Sequence, residues 1–308
     1  MKLQSTITIW IVLALLTTSS CKKDPLIEPI NPLTTIVSSG NIHKLGISDM
    51  QLVYSSSPEA LVVMDRRDGS EKHYHKFNSQ VFDIFKIQAQ PTGRVCIGDS
   101  RGGLYYYAND IVQFIIKDEG LVGFDYQRQH CNQVATRIRF NNQKGIEQQI
   151  STLNFRFGTN AQTAMVAFND TVWVGTKQQG LFFISVNDPT PRSISKEFQG
   201  NYENVQLVVD SNDNLWSLTT KYLNIRKNGN WTIRRLPSAM LATDMVVIDD
   251  AAYIASDRGL FKYSNDQFVE LTQVNVNLRH KFVTCLAKEE NHTLWLGTGA
   301  GIYSYPLK

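Results

Sequence analysis

Cysteine is scarce in this chain, with four among 308 residues. After Cys21 only Cys96, Cys131 and Cys285 remain, and three thiols cannot all pair with one another, which excludes a disulfide-stapled scaffold. Cys96 and Cys285 stand in apolar strand contexts and are expected as buried free thiols. Charge is also sparse and nearly balanced. The formal net charge of +3 leaves no basic footprint for nucleic acid. Beyond the N-terminus, no apolar run is long enough to cross a bilayer as a helix. No glycine-rich loop follows a strand and opens a helix, so a nucleotide is not expected. No serine or cysteine sits in a nucleophile elbow. His73 and His75 alternate on one strand face, but a third ligand at a telling spacing is missing, so neither metal nor cofactor is expected.

What is present is a recurring phrase. Its clearest copies are Val172-Trp173-Val174-Gly175-Thr176, followed by Gly180-Leu181, and Leu294-Trp295-Leu296-Gly297-Thr298, followed by Gly301-Ile302. Weaker copies centre on Val53, Cys96, Trp216 and Tyr253, and the spacing places a seventh at Ala135, which lacks the following glycine. An interval of about 40 residues marks a propeller or a solenoid. Around Tyr253, short apolar runs punctuated by Asn, Asp and Gly read as four antiparallel strands: Asp244–Ile248, Ala251–Ser256, Leu260–Ser264 and Gln267–Leu271. Four strands per repeat is a propeller blade. The expectation is therefore an all-β, seven-bladed β-propeller over residues 33–308. Its last copy has only three strands of its own, so a segment at Leu33–Ser38 is expected to supply the fourth and hide two sheet edges. The tryptophans are expected to fill the seams between blades, and the glycine or alanine beside them to let neighbouring sheets approach closely.

The N-terminus reads differently. Lys2, the apolar stretch Ile7–Leu16 and the small residues Thr17-Thr18-Ser19-Ser20 before Cys21 have the layout of a secretory signal. Small residues directly before a cysteine resemble a bacterial lipobox, and Cys21-Lys22-Lys23-Asp24 is similar to lipoprotein starts of Bacteroidetes. That resemblance implies a signal peptide at 1–20 and lipidation of Cys21. Residues 21–32, with Pro25, Pro29 and Pro32, form a semi-rigid tether. The expected location is a bacterial cell envelope, anchored by lipid, at the outer membrane.

The phrase W-x-G-T at Trp173 and Trp295, followed closely by Gly180-Leu181 and Gly301-Ile302, resembles the two-component-regulator propeller repeat. In that family the propellers are sensor regions joined to a membrane helix and a kinase. No kinase-like segment follows the last repeat, so the expectation is a stand-alone binding or scaffolding propeller without a fused kinase.

Loops joining second to third strands share one face of a propeller. Four of them carry a cation: Arg101, Lys177, Lys221 and Arg258. Together they form a candidate rim for carboxylate or sulfate groups. Asp83, Asp125 and Asp210 lie in or at the ends of first strands, where paired carboxylates serve glycoside cleavage but where aspartates also cap turns. Asp65-Arg66-Arg67-Asp68-Gly69 reads as a solvated loop. The balance favours a non-catalytic module that binds a glycan or an envelope protein. The alternative is a polysaccharide-acting hydrolase or lyase with its site in the funnel.

Overall fold

The computed structural model describes residues 33–56, 60–77, 80–81, 84–89, 93–99, 103–108, 111–117, 123–127, 130–134, 137–141, 147–151, 164–168, 171–176, 180–185, 188–193, 204–289 and 292–307. Side chains between 114 and 163 lie outside this description, as do the expected signal sequence, Cys21 and the tether. The described residues belong to one compact unit, Asn31–Lys308.

The chain folds into blades, each a four-stranded antiparallel sheet. Blade 1 is Ile42–Ile47, Gln51–Ser56, Ala60–Asp65 and Glu71–Tyr74. A two-stranded ribbon, Lys76–Phe77 with Gln80–Val81, follows it. Blade 2 is Ile84–Ala89, Val95–Asp99, Gly103–Ala108 and Ile111–Lys117. Blade 3 is Ala164–Phe168, Thr171–Gly175, Leu181–Ser185 and Asp188–Ser193. Blade 4 is Asn204–Val209, Leu215–Thr219, Tyr222–Lys227 and Asn230–Arg235. Blade 5 is Ala242–Ile248, Ala251–Ser256, Gly259–Ser264 and Gln267–Glu270. Blade 6 takes Val283–Lys288, Thr293–Thr298 and Gly301–Pro306 from the C-terminal end, and its fourth strand is Thr34–Val37. Thr34 stands opposite Ser304 and Thr35 opposite Tyr303.

The expectation of seven equivalent blades is corrected to six. Between blades 2 and 3 the backbone forms a further four-stranded meander, Gly123–Gln127, His130–Val134, Arg137–Asn141 and Glu147–Ser151. Its first strand lies between the first strands of blades 2 and 3. The seventh copy rested on Ala135 at the tryptophan position, which lies outside the described residues; the second strand of this meander is His130–Val134. The other six positions, Val53, Cys96, Trp173, Trp216, Tyr253 and Trp295, all lie inside second strands and are buried. Phrase and packed core therefore recur together six times. The spacing alone admitted Ala135, because a period counts residues and carries no packing chemistry.

The seams hold the structure together. One apolar cluster packs Trp216 of blade 4 against Ala252, Ile254, Phe261 and Tyr263 of blade 5. A second packs Tyr253 of blade 5 against Leu286, Leu294 and Leu296 of blade 6, with Leu33 from the closing segment. A third packs Trp295 of blade 6 against Leu45, Leu52 and Tyr54 of blade 1. Truncating one such aromatic to alanine costs about 3–5 kcal/mol. The repeat glycine fits the same logic. A Cβ at Gly297 would meet Cys285 Sγ, and would stand 2.9 Å from Ile42 Cγ2 in the next blade.

Hairpin turns follow from residues that tolerate left-handed backbone. Asp249-Asp250 and Asn265-Asp266 both carry two consecutive positive φ angles, the twist that matches paired strands. A short helix, Thr272–Asn275, lies in the connection from blade 5 to blade 6. Cys285 is free and buried. Cys96 is disulfide-bonded, which corrects the expectation of a free thiol there. Strand context foretells burial of a cysteine but not the nearness of a second one.

Candidate functional site

The first strands surround a channel of about 630 Å³. Its waist is apolar, with Leu45, Ile87, Val166, Leu207, Met245 and Leu286 among the lining residues. Five first strands carry a β-bulge near the start: Ile42/Lys44, Ile84/Lys86, Asn204/Gln206, Ala242/Asp244 and Val283/Cys285. A bulge bends a strand and re-aims its side chains. In blade 5 this sets Asp244 where its Oδ1 accepts from Gln206 Nε2 of blade 4 at 3.1 Å and from the Met245 amide at 2.7 Å. Its Oδ2 accepts from the Leu286 amide of blade 6 at 2.9 Å. One buried carboxylate thus ties three adjacent blades.

Most charged groups of the channel lie where first strands turn into second strands, while Lys86, Gln88 and Gln206 line it from within first strands. Asp49, Asp210, Asp249, Lys288, Glu289 and His292 line that mouth. Three of its carboxylates have assigned donors. Asp210 accepts from the amides of Asn212 and Asn214, from Asn214 Nδ2, and from the Trp216 indole at 2.8 Å. Burial pushes its pKa up, but these hydrogen bonds outweigh burial and leave it below the usual carboxylate value. Glu289 pairs with Arg66 at 2.7 Å and accepts from the Trp295 indole at 3.0 Å. Asp249 meets His292 Nε2 at 2.7 Å on the exposed lip. Lys288 donates to the Val247 carbonyl at 2.9 Å. The channel walls desolvate its ammonium and lower its pKa, against an upward pull from Asp210 and Asp249.

The residues singled out from sequence fall on several parts of the molecule. Lys221 and Arg258 are exposed on second-to-third-strand turns of adjacent blades, on the face opposite Asp210, Asp249 and Glu289. Arg258 donates to the Ser238 carbonyl at 3.2 Å. Arg101 and Lys177 lie outside the described residues, so a four-cation rim is not assembled among those described. Asp83 lies outside the described residues too. Asp125 is in the first strand of the meander, with its side chain undescribed. Asp210 caps a turn. His73 stacks on His75 with ring centroids 6.3 Å apart and meets Glu71 at 3.1 Å. Among the described residues no three His, Cys, Asp or Glu side chains gather as a metal site.

Sequence reasoning missed Arg66. Read as part of a solvated loop, it is instead half-buried: it pairs with Glu289, donates to the Ser48 carbonyl at 2.8 Å, and lies 5.2 Å from the Trp295 ring centroid. A signal existed on the partner side. An acid stands six residues before the tryptophan in two copies, Asp210 before Trp216 and Glu289 before Trp295, and in both it accepts from the indole.

No protein-family model matches the chain, and no curated protein matches it in sequence. Solved structures show the fold. An extracellular domain from B. thetaiotaomicron, described as that of a hybrid two-component system, aligns with TM-score 0.64 and 18% identity over 87% of this chain and 40% of the other. Virginiamycin B lyase from Staphylococcus aureus aligns with TM-score 0.69 and 11% identity over 90% of this chain and 100% of the other. PorZ, a bacterial surface component of the type-IX secretion system of Porphyromonas gingivalis, aligns with TM-score 0.65 and 13% identity over 86% of this chain and 46% of the other. The chain spans less than half the length of the first and third. At these identities the likeness is one of fold.

Proposed function

We propose that this protein is a non-catalytic binding or scaffold module of a bacterial cell envelope, recognising a glycan or an envelope protein. The observation that carries this reading is that Asp210 and Glu289 at the channel mouth, and Asp244 behind its wall, already have partners. Asp210, Asp244 and Glu289 are spent on turn amides, neighbouring blades and indole N–H groups. Glycoside cleavage needs a pair of carboxyls, one protonated near neutral pH, and Asp210 is held in the opposite direction. Recognition then falls to the exposed turns, Lys221 and Arg258 among them. A lipidated Cys21 and the proline-spaced tether anchor the domain at the outer membrane. The disulfide at Cys96 fits an oxidising compartment, and the similar folds of extracellular and surface proteins accord with the same location.

The test has two arms. Glycan-array binding and envelope crosslinking by the full chain are expected to show a partner lost on Lys221→Glu/Arg258→Glu. Unchanged binding in that variant, or depolymerisation of a polysaccharide by the wild type, overturns the reading. Labelling cells with an alkyne fatty acid is expected to mark the wild type and not Cys21→Ser. Labelling of both, or of neither, removes the anchor.

A further inference from the structure

Leu241 and Phe282 are the residues directly before the first strands of blades 5 and 6, equivalent positions on neighbouring blades. Both are exposed, Leu241 at 61% and Phe282 at 41%. Leu241 and the residue after Phe282 are held by hydrogen bonds at the second-to-third-strand face. The Leu241 amide donates to Asp257 Oδ1 at 2.9 Å, and the Asp257 amide donates back to the Leu241 carbonyl at 3.1 Å. Thr243 Oγ1 donates to the Val283 carbonyl at 2.6 Å, which draws the start of blade 6 against blade 5. Two exposed apolar residues therefore flank the start of the seam between blades 5 and 6.

Their surroundings are cationic. Arg279, His280 and Lys281 precede Phe282 and are exposed, and Arg258 is exposed on the turn beside Leu241. The His280 ring lies against Gly299 on the matching turn of blade 6. Two acids stand nearby, Asp257 bonded to the Leu241 amide and Glu270 bonded to Asn275 Nδ2 at 3.1 Å; both keep their charge, and Arg258, Arg279 and Lys281 exceed them by one. The connection that presents the patch is held from below. Leu271, Val274 and Leu278 are buried in the seam, and Asn275 bonds both the amide and the carbonyl of Leu260. A patch so fixed loses little conformational entropy on binding.

We infer that Leu241 and Phe282, ringed by Arg258, Arg279 and Lys281, form a docking surface for an acidic protein segment that carries aliphatic or aromatic side chains. Charge complementarity selects an acidic partner. The paired Leu and Phe select a peptide over an acidic polysaccharide, which would match the cations but bring no aliphatic side chain to Leu241. This inference rests on the binding reading above and narrows its partner.

The probe is a displayed library of random twelve-residue peptides selected on the full chain. Expected winners are net acidic and contain Leu, Ile, Phe or Trp. Their affinity falls at least tenfold on Leu241→Ser/Phe282→Ser, and falls with salt in the wild type but much less in Arg279→Ala/Lys281→Ala. Circular dichroism melts of both variants check that the fold is kept. Neutral or basic winners, no winners, or equal binding to the Ser variant overturn the inference. If peptides fail while an acidic glycan binds through Lys221 and Arg258, the peptide surface is wrong and the binding module stands. If neither binds, both are wrong.

Discussion

Arg66 and Glu289 meet at 2.7 Å across the seam between the first and last blades. The two residues are far apart in the chain, so the pair acts on ring closure and not on local structure. Its side chains are 22% and 14% exposed, which shields them from salt more than a surface pair. Arg66→Ala strands Glu289 beside the Trp295 indole and is expected to lower unfolding free energy by about 2–3 kcal/mol, below the cost of breaking a fully buried pair. A double-mutant cycle with Glu289→Gln in urea denaturation checks this. A coupling energy near zero contradicts it.

Gly297→Ala brings a methyl group against Cys285 and against Ile42 of the next blade. Overpacking of this kind costs about 1–3 kcal/mol. Cys285→Ala removes the sulfur that the new methyl meets, so the double variant is expected to be more stable than the sum of the single effects. Thermal melts of the four proteins measure the difference.

How much was legible follows from these particulars. Trp173, Trp216, Trp295 and Gly297 belong to a phrase whose chemistry is local, and their burial at blade seams could be read from it. Hairpin turns at Asp249-Asp250 and Asn265-Asp266 were legible because left-handed backbone selects those residues. Ala135 was placed by the period alone and lies outside the described residues. Arg66 was hidden because its partner lies at the other end of the chain. The bulges that set Asp244 among three blades carry no composition signal. The candidate site was the least legible part: the cations could be assigned to turns, but which of them neighbour Leu241 and Phe282 depends on how blades 5 and 6 meet.

Burial, and then Asp244, push the Cys285 thiol up to about 12 from 9.0. A raised native pKa means that the unfolded thiol loses its proton first. Stability is then fully present below about pH 9 and lost as pH rises toward 12, by up to ~1.4 kcal/mol per pH unit. Wild type is expected to lose more stability than Cys285→Ala between pH 9 and 11 in urea titrations at each pH. Parallel curves contradict the assignment. In native protein at pH 8 the thiol is expected to resist iodoacetamide until urea is added.

Asp210 has the opposite sign. Hydrogen bonds hold its native pKa below the usual 3.8, so its contribution is present above that value and lost as pH falls through the native one. Asp210→Ala removes the acceptor of the Trp216 indole and is expected to cost about 2–3 kcal/mol at neutral pH. The gap between the two proteins narrows in acid. Far-UV melts at pH 7 and at pH 2.5 read both quantities.

Thr34–Val37, from near the start of the chain, completes the sheet that ends it. Thr34 and Ser304 are cross-strand partners there, and facing residues of an antiparallel pair lie within the Cα span a disulfide can bridge. The direct measurement is oxidation of a Thr34→Cys/Ser304→Cys double variant, followed by peptide mass mapping without reduction. A linked pair of terminal peptides, formed in the folded protein and absent when oxidation is done in urea, is the predicted result. Two unlinked peptides from the folded protein would contradict the closure.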